Sequence, residues 1–162
     1  MEISKYWNDI VDVVAKGQKS SLHCAIASVD DQGMPNVTPI GTVFLRDDFS
    51  AYYFDSYTSQ LADNIQKNPH VCLMAVNTGA LFWFKSLFKG QFLSAPGVRL
   101  YGTAGELREA SLEEKALIEK RIKPTRWLKG SQLIWSDFSH VRDIQLTSFR
   151  PVKYPKMMNH LW

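Results

Sequence analysis

Six short runs of apolar, β-branched and aromatic residues set the strongest limit on what this chain can fold into. They cover residues 22–29, 36–45, 51–54, 71–76, 98–107 and 141–149. Runs of this length and composition, bounded by turn-forming residues, are typical of β-strands. The turn residues 30–33 predict a hairpin between the first two runs. The sequence therefore predicts a mainly β domain.

Three further segments carry the spacing or the capping residues of helices. Near the N-terminus, apolar residues recur at intervals of three and four after Ser4, a candidate cap, and Gly17 is the expected stop. A short helix is expected to begin beside Ser59. Ser111 and Glu114 have the spacing of a capping box, which predicts a longer helix after them. The sheet is therefore expected to have helices on its flanks.

The composition fits one globular domain, and we expect the whole chain, residues 1–162, to form it. Apolar residues make up 45% of the chain and charged residues 22%. These values are ordinary for a folded protein and exclude a disordered or disulfide-rich chain. Lys and Arg exceed Asp and Glu by a net charge of only +3. This small excess gives no reason to expect a nucleic-acid partner.

The cysteines indicate whether a metal site is expected, and the N-terminal residues indicate the cellular compartment. Cys24 and Cys72 lie in apolar runs without the spacing of a metal or redox motif, so we interpret both as small buried residues and expect no metal site. The first residues do not have the pattern of a secretory leader, and no apolar stretch is long enough to cross a membrane. A cytoplasmic protein without a membrane partner is expected.

A cluster of hydroxyl-bearing residues, 56–59, lies between the run 51–54 and the short helix expected at Ser59. Unpaired N–H groups at a helix N-terminus, with Ser or Thr oxygens around them, can bind a phosphate without a glycine-rich loop. An ordinary capped helix after a turn is the alternative, and such caps are common. The cluster by itself leaves both interpretations open.

Five short motifs follow one another along the chain. They are NVTP at 36–39, AYYFD at 51–55, TSQLADNI at 58–65, NPHV at 68–71 and VRLYGTAGEL at 98–107. In this order they resemble the pyridoxamine 5'-phosphate oxidase-like, FMN-binding split-barrel family, over about residues 20–150. The resemblance implies a mainly β fold with flanking α-helices, namely a six-stranded antiparallel Greek-key split β-barrel. It also implies a homodimer with FMN bound where the two subunits meet.

The resemblance further implies which residues contact FMN. Gly41, Thr42 and Val43 would approach the flavin ring; Phe54, Asp55 and Ser56 would line the ribityl chain; and Ser59 and Gln60 would face the phosphate. The family often has Lys or Arg beside the serine, where this chain has Gln60 and Leu61. A charged partner binds phosphate more strongly than a neutral one. Arg46, Lys85, Lys89 and Arg99 are the cations that could replace it, from a neighbouring loop or from the other subunit.

The function implied by the resemblance is that of an FMN-dependent oxidoreductase of unknown small-molecule substrate, with NAD(P)H as a candidate electron donor. The redox chemistry belongs to the flavin, so no catalytic residue is assigned. A second hypothesis keeps the dimeric barrel and gives it another role. In this alternative the protein is a module that binds haem, another flavin or a small ligand without turnover.

Two segments remain open to more than one interpretation. The aromatic segment 81–92 is expected to be a lid or a dimer contact, and its aromatic rings could instead stack on the flavin or plug the barrel end. A membrane-surface role would need a larger basic face than Lys85 and Lys89 provide. The basic run 120–129 superficially suggests nucleic acid, but cations are also favoured at a helix C-terminus, and we prefer that explanation.

Overall fold

Seven strands in the described part of the chain form one antiparallel sheet. The structure is a computed structural model that describes residues 2–56, 58–134 and 137–161. The strands are β1 (Cys24–Val29), β2 (Pro35–Ile40), β3 (Val43–Leu45), β4 (Ser50–Phe54), β5 (His70–Val76), β6 (Gly97–Glu109) and β7 (His140–Pro151). Their order in the sheet is β2-β1-β5-β6-β7-β4-β3, and each neighbouring pair is antiparallel.

The sheet curls because its two edge strands are consecutive in the chain. Only Gly41 and Thr42 separate β2 from β3, yet β2 pairs with β1 at one edge and β3 pairs with β4 at the other. A link this short spans at most about 10 Å, so the two edges must approach each other. The resulting half-barrel, with helices on its flanks, confirms the split-barrel prediction. The prediction of one strand over 36–45, and so of six strands, was wrong because this run is shared between the two edges.

Five α-helices surround the sheet in the described residues. They are α1 (Trp7–Ser21), α2 (Ser59–Lys67), α3 (Ala80–Lys89), α4 (Leu112–Ile122) and α5 (Lys129–Ile134). The predicted start of α2 at Ser59 is confirmed. The capping box before α4 is also confirmed, since the Ser111 hydroxyl accepts from the Glu114 N–H at 3.1 Å and the Glu114 carboxylate accepts from the Ser111 N–H at 2.8 Å.

Both predicted ends of α1 were wrong. Ser4 does not cap the helix: it lies in a short 3₁₀ turn, and its hydroxyl donates to the Glu2 carboxylate. Gly17 lies inside the helix, where a Cβ atom would be only 3.1 Å from the backbone nitrogen of Val76. Its missing side chain therefore lets α1 pack closely on β5. The helix ends instead at Leu22, which adopts a left-handed φ of 65°.

The main core lies between α1 and the concave sheet. Ile10, Val13 and Val14 of α1 are buried against strands β1, β5 and β6. A smaller cluster joins α4 to the sheet through Ile118 and Tyr52. Each fully buried aliphatic side chain contributes roughly 1.5–3 kcal/mol, so the two clusters hold the half-barrel against its helices.

Gly102, in β6, lies so close to β7 that no side chain fits. A Cβ atom on Gly102 would lie 2.3 Å from the carbonyl oxygen of Gln145. We expect Gly102→Ala to push the strands apart and to lower the free energy of unfolding in urea by about 1–3 kcal/mol. Gly105→Ala is the matched control in the same strand, because its Cβ would make only an ordinary contact, 3.7 Å from the Asp143 carbonyl oxygen. Equal losses in the two variants would contradict this close approach.

Candidate functional site

Two cavities meet at the segment between β4 and α2. One, of about 350 Å³, runs along the β2–β3 link and is lined by Thr38, Pro39, Ile40, Gly41, Thr42, Phe54 and Phe138. The other, of about 500 Å³, lies at the start of α2 and is lined by Asp55, Ser59, Gln66, Glu106, Leu107 and Arg142. Ser56 and Thr58 line both cavities. We call the first the apolar cavity and the second the polar cavity.

Six of the eight predicted site residues line these cavities: Gly41, Thr42, Phe54, Asp55, Ser56 and Ser59. Val43 and Gln60 line neither. Val43 is fully buried in the core. Gln60 is exposed, but its side chain donates to Asn64 at 2.8 Å, along the helix and away from its start. Tyr57, inside the predicted hydroxyl cluster, lies outside the described residues.

Thr42 fixes the apolar cavity against the end of β4. Its buried hydroxyl accepts from the Phe54 N–H at 3.2 Å and donates to the Phe54 carbonyl at 3.3 Å. This hydroxyl is therefore used to hold the β2–β3 link in place. The Phe54 ring packs edge-on against Phe138, with centroids 5.2 Å apart. Backbone from Gly41 and these neighbouring side chains give the cavity a largely neutral wall.

A buried ion pair forms the floor of the polar cavity. Arg142 Nε donates to Asp55 Oδ2 at 3.0 Å, and the two side chains are only 5% and 6% exposed. Asp55 also accepts a hydrogen bond from the Thr58 hydroxyl, and Arg142 donates to the Gly105 carbonyl at 2.9 Å. Burial, with a smaller contribution from the Asp55 charge, raises the pKa of the adjacent Tyr53 above its usual range. Because Asp55 also binds the Thr58 hydroxyl, the ion pair of Asp55 with Arg142 positions Thr58, the residue just before α2.

The N-terminus of α2 opens into the polar cavity. Helix geometry leaves the first N–H groups without intrahelical acceptors, and in the described residues no side chain caps this end. The first backbone bond comes from the Ala62 N–H to the Thr58 carbonyl at 2.8 Å. Ser59 is exposed beside this end, whereas Leu61 is fully buried. The arrangement offers N–H and hydroxyl donors to an anion.

The cations that the sequence offered as phosphate partners lie elsewhere. None of the four described residues Arg46, Lys85, Lys89 and Arg99 lines either cavity. Arg46 donates to Glu114 at 2.7 Å and to Asp143 at 2.8 Å. Glu114 also accepts from Arg108, and this hydrogen bond is the main reason that the pKa of Glu114 falls to about 2. The charged residues lining the polar cavity are Asp55, Glu106 and Arg142. Among the described residues that line it, the polar cavity thus has neutral donors but no uncompensated cation.

Sequence reasoning missed two arginines at the site, Arg142 and Arg121. Arg121 was included in a basic run assigned to a solvated helix end. Instead it donates to the carbonyls of Val43 at 2.7 Å and Gly41 at 3.3 Å, and its guanidinium lies 3.6 Å from the centroid of the Phe44 ring. Partial burial lowers its pKa. Its position three residues after the buried Ile118 was the available signal that it faces the sheet.

The thiols do not contribute a nucleophile to this site. Burial raises the pKa of Cys24 to about 12 and that of Cys72 above its usual value, so both remain protonated at neutral pH. Among the described residues there is no group of three or more His, Cys, Asp or Glu side chains that could hold a metal ion. Over the same residues, no helix has the length and hydropathy needed to span a membrane.

Known families and structures give the context for this geometry. The family model described as "Pyridoxamine 5'-phosphate oxidase" matches residues 11–145. No curated protein matches the chain. Among solved structures, an FMN-binding protein from Syntrophomonas wolfei is similar over 93% of this chain and 90% of its own, with 11% identity and a TM-score of 0.64.

Two further solved structures that are similar to this chain have names that do not mention FMN. HupZ of Group A Streptococcus is similar over 93% of this chain and 97% of its own, with 18% identity and a TM-score of 0.59. HutZ of Vibrio cholerae, a haem storage protein, is similar over 88% of this chain and 94% of its own, with 17% identity and a TM-score of 0.55. At these identities the likeness shows the fold alone.

Proposed function

The chain belongs to the pyridoxamine 5'-phosphate oxidase family, and on that basis we propose that it binds FMN and acts as an oxidoreductase. In this proposal the protein is a homodimer, the flavin ring lies in the apolar cavity, and the phosphate lies at the N-terminus of α2. Reduced nicotinamide is the proposed electron donor. Both cysteines are free thiols, in keeping with a reducing, cytoplasmic location.

The observation that carries the proposal is the junction of the two cavities at Ser56 and Thr58. A flavin mononucleotide has a flat, mostly apolar ring at one end and a dianion at the other. The apolar cavity offers Pro39, Ile40 and Phe138 to the ring, and the polar cavity offers the open start of α2 to the phosphate. Each cavity has the size usual for ligand sites. The ribityl chain would cross between them at Ser56.

The residues fit the flavin better at its ring than at its phosphate. Helix N–H groups and the Ser59 hydroxyl are suitable phosphate donors. The nearest guanidinium, Arg142, is already neutralised by Asp55. We therefore propose that a cation of the second subunit completes the phosphate site in the dimer. The positive charge that the phosphate needs would then come from across the interface between the two subunits, which is where the family resemblance places the flavin.

Bound FMN would supply hydride and electron transfer, and the protein would bind and orient it. Thr42 holds the β2–β3 link beside the ring position, and Arg121 bonds the carbonyls on either side of Thr42. Asp55 and Arg142 hold the start of α2. These residues are positioning residues, because each acts through the backbone it holds.

Absorbance and titration test the proposal. We expect purified protein, supplied with FMN, to show a flavin spectrum, and NADH or NADPH to bleach it under anaerobic conditions. FMN is expected to bind at least about tenfold more tightly than riboflavin, because only FMN has the phosphate that meets the helix N-terminus. Protein that takes up no FMN would contradict the proposal, and so would equal affinity for the two flavins.

A second candidate function is storage or transport of haem or another ligand without turnover. The absence of an uncompensated cation among the described residues lining the polar cavity makes that cavity a weaker site for the FMN phosphate, and the fold is similar to that of a haem storage protein. The same titration distinguishes the two functions. Haem that produces a Soret band and saturates at one equivalent, in protein that ignores FMN, would support this candidate over the oxidoreductase.

A further inference from the structure

Helix α3 presents a large apolar face to solvent. Leu81, Phe84, Leu87 and Phe88 are between 65% and 84% exposed, and Leu93, just beyond the helix, is 65% exposed. On a helix with 3.6 residues per turn these four helical positions form one continuous stripe. The Phe84 and Phe88 rings stack, with centroids 6.5 Å apart. Isolated exposed leucines are ordinary, but a contiguous patch of this kind marks a contact surface.

The opposite face of α3 fixes the helix to the body of the protein. Trp83 Nε1 donates to the Asn77 carbonyl at 2.7 Å, and the Trp83 ring packs against the fully buried Phe92. Gly90 ends the helix with a left-handed φ of 67°, and its N–H bonds the Leu87 carbonyl. A ten-residue helix is marginal in isolation. These anchors hold it with the apolar stripe outward.

The two segments that form this surface carry lysines and contain no Asp or Glu. Lys85 and Lys89 lie along one border of the stripe by helix geometry. The chain has no Asp or Glu between Asp63 and Glu106, and none after Asp143. The C-terminal segment packs beside α3, with the Tyr154 ring 5.6 Å from Trp83, and it carries the exposed Lys153 and Lys156.

This charge pattern favours an anionic partner over a second copy of the chain. If two copies paired through α3, their stripes would bring Lys85 and Lys89 of both chains together, and α3 itself carries no carboxylate to compensate. Like charges in contact oppose such pairing. An amphipathic helix with Phe and Leu on one face and lysines at its border suits the interface of a bilayer that contains anionic lipid.

We propose that α3 and the basic C-terminal segment bind the surface of an anionic phospholipid membrane, with the stripe in the acyl boundary and the four lysines at the headgroups. The sequence alone offered only Lys85 and Lys89, and the fold adds Lys153 and Lys156. The stripe lies apart from the polar cavity: Gly97, where β6 leaves α3, is nine residues from Glu106, or about 30 Å along the strand. Membrane binding would therefore leave the polar cavity free on the same chain.

Co-sedimentation with vesicles tests this proposal. Full-length protein is expected to sediment with vesicles of phosphatidylcholine and phosphatidylglycerol, to bind pure phosphatidylcholine much less, and to be released by high salt. We expect Phe84→Ser with Phe88→Ser, and separately Lys85→Glu with Lys89→Glu, to weaken binding by at least about tenfold. FMN titration of the Phe84→Ser, Phe88→Ser variant should match that of the unchanged protein.

The matched control is Leu112→Ser with Trp127→Ser, since both side chains are highly exposed but lie outside α3. This double variant is expected to bind vesicles like the unchanged protein. Absence of sedimentation with anionic vesicles, or equal loss in the control, would overturn the proposal. Dissociation of a dimer by Phe84→Ser with Phe88→Ser, seen by light scattering, would assign the stripe to a second copy and would also overturn it.

Discussion

Asp55→Ala is expected to lower the free energy of unfolding by about 3–5 kcal/mol, the range found when one partner of a buried ion pair is removed. Arg142 is only 5% exposed, so without Asp55 its charge would lie unpaired in the protein interior. The Thr58 hydroxyl would also lose its acceptor just before α2. Urea denaturation followed by circular dichroism measures the loss.

A double substitution and a surface pair serve as controls for this prediction. Asp55→Leu with Arg142→Met removes both charges, and it should be less destabilising than Asp55→Ala because no buried charge remains unpaired. Asp31→Ala breaks the pair with Lys67, in which both side chains are more than half exposed, and it should leave the midpoint nearly unchanged. An Asp55→Ala variant as stable as Asp31→Ala would show that the pair does not hold the site together.

Ser59→Asp is expected to weaken FMN binding by at least about 100-fold, or roughly 3 kcal/mol. The substituted carboxylate would lie beside the proposed phosphate, at the first position of α2, where the helix dipole favours a negative charge. For this last reason the fold should be unharmed, which a thermal scan checks. Fluorescence quenching of FMN measures the affinity.

Two further variants make this test specific: one adds a positive charge beside Ser59, and the other adds a negative charge outside both cavities. Gln60→Arg restores the cation that the family often has beside the serine, and it should tighten FMN binding by about tenfold. Gln91→Glu adds a negative charge at an exposed position next to α3 that lines neither cavity, and it should have little effect. Equal FMN affinity in Ser59→Asp and the unchanged protein would place the phosphate elsewhere.

Local pattern predicted most of the strands and helices of the fold, but it did not predict how the sheet closes. The run 36–45 is continuous in β-forming residues, and its division at Gly41 depends on pairing with β1 and β4 at opposite edges. Gly17 has the local character of a helix stop. Its role is set by Ala75 and Val76, residues far away in the sequence.

The same distinction applies to the site. Asp55, Ser56 and Ser59 lie together because one strand runs directly into one helix, and sequence alone locates such neighbours. Arg142 is brought under Asp55 only by the register of β4 with β7, in which Tyr53 is opposite Arg142. Helix α3, which carries the exposed stripe, was likewise not predicted as a helix. Its aromatic residues lie on both faces, so the sequence does not have the clear apolar spacing of an amphipathic helix.

We propose above all that the N-terminus of α2 binds the phosphate of FMN in a dimer. A crystal structure of the full-length protein grown with FMN tests it most directly. We expect the phosphate to lie within hydrogen-bond distance of the N–H groups of residues 59–61 and of the Ser59 hydroxyl, with a cation of the partner subunit beside it. Flavin density with the phosphate at any other position, or crystals saturated with FMN that contain none at this helix, would contradict it.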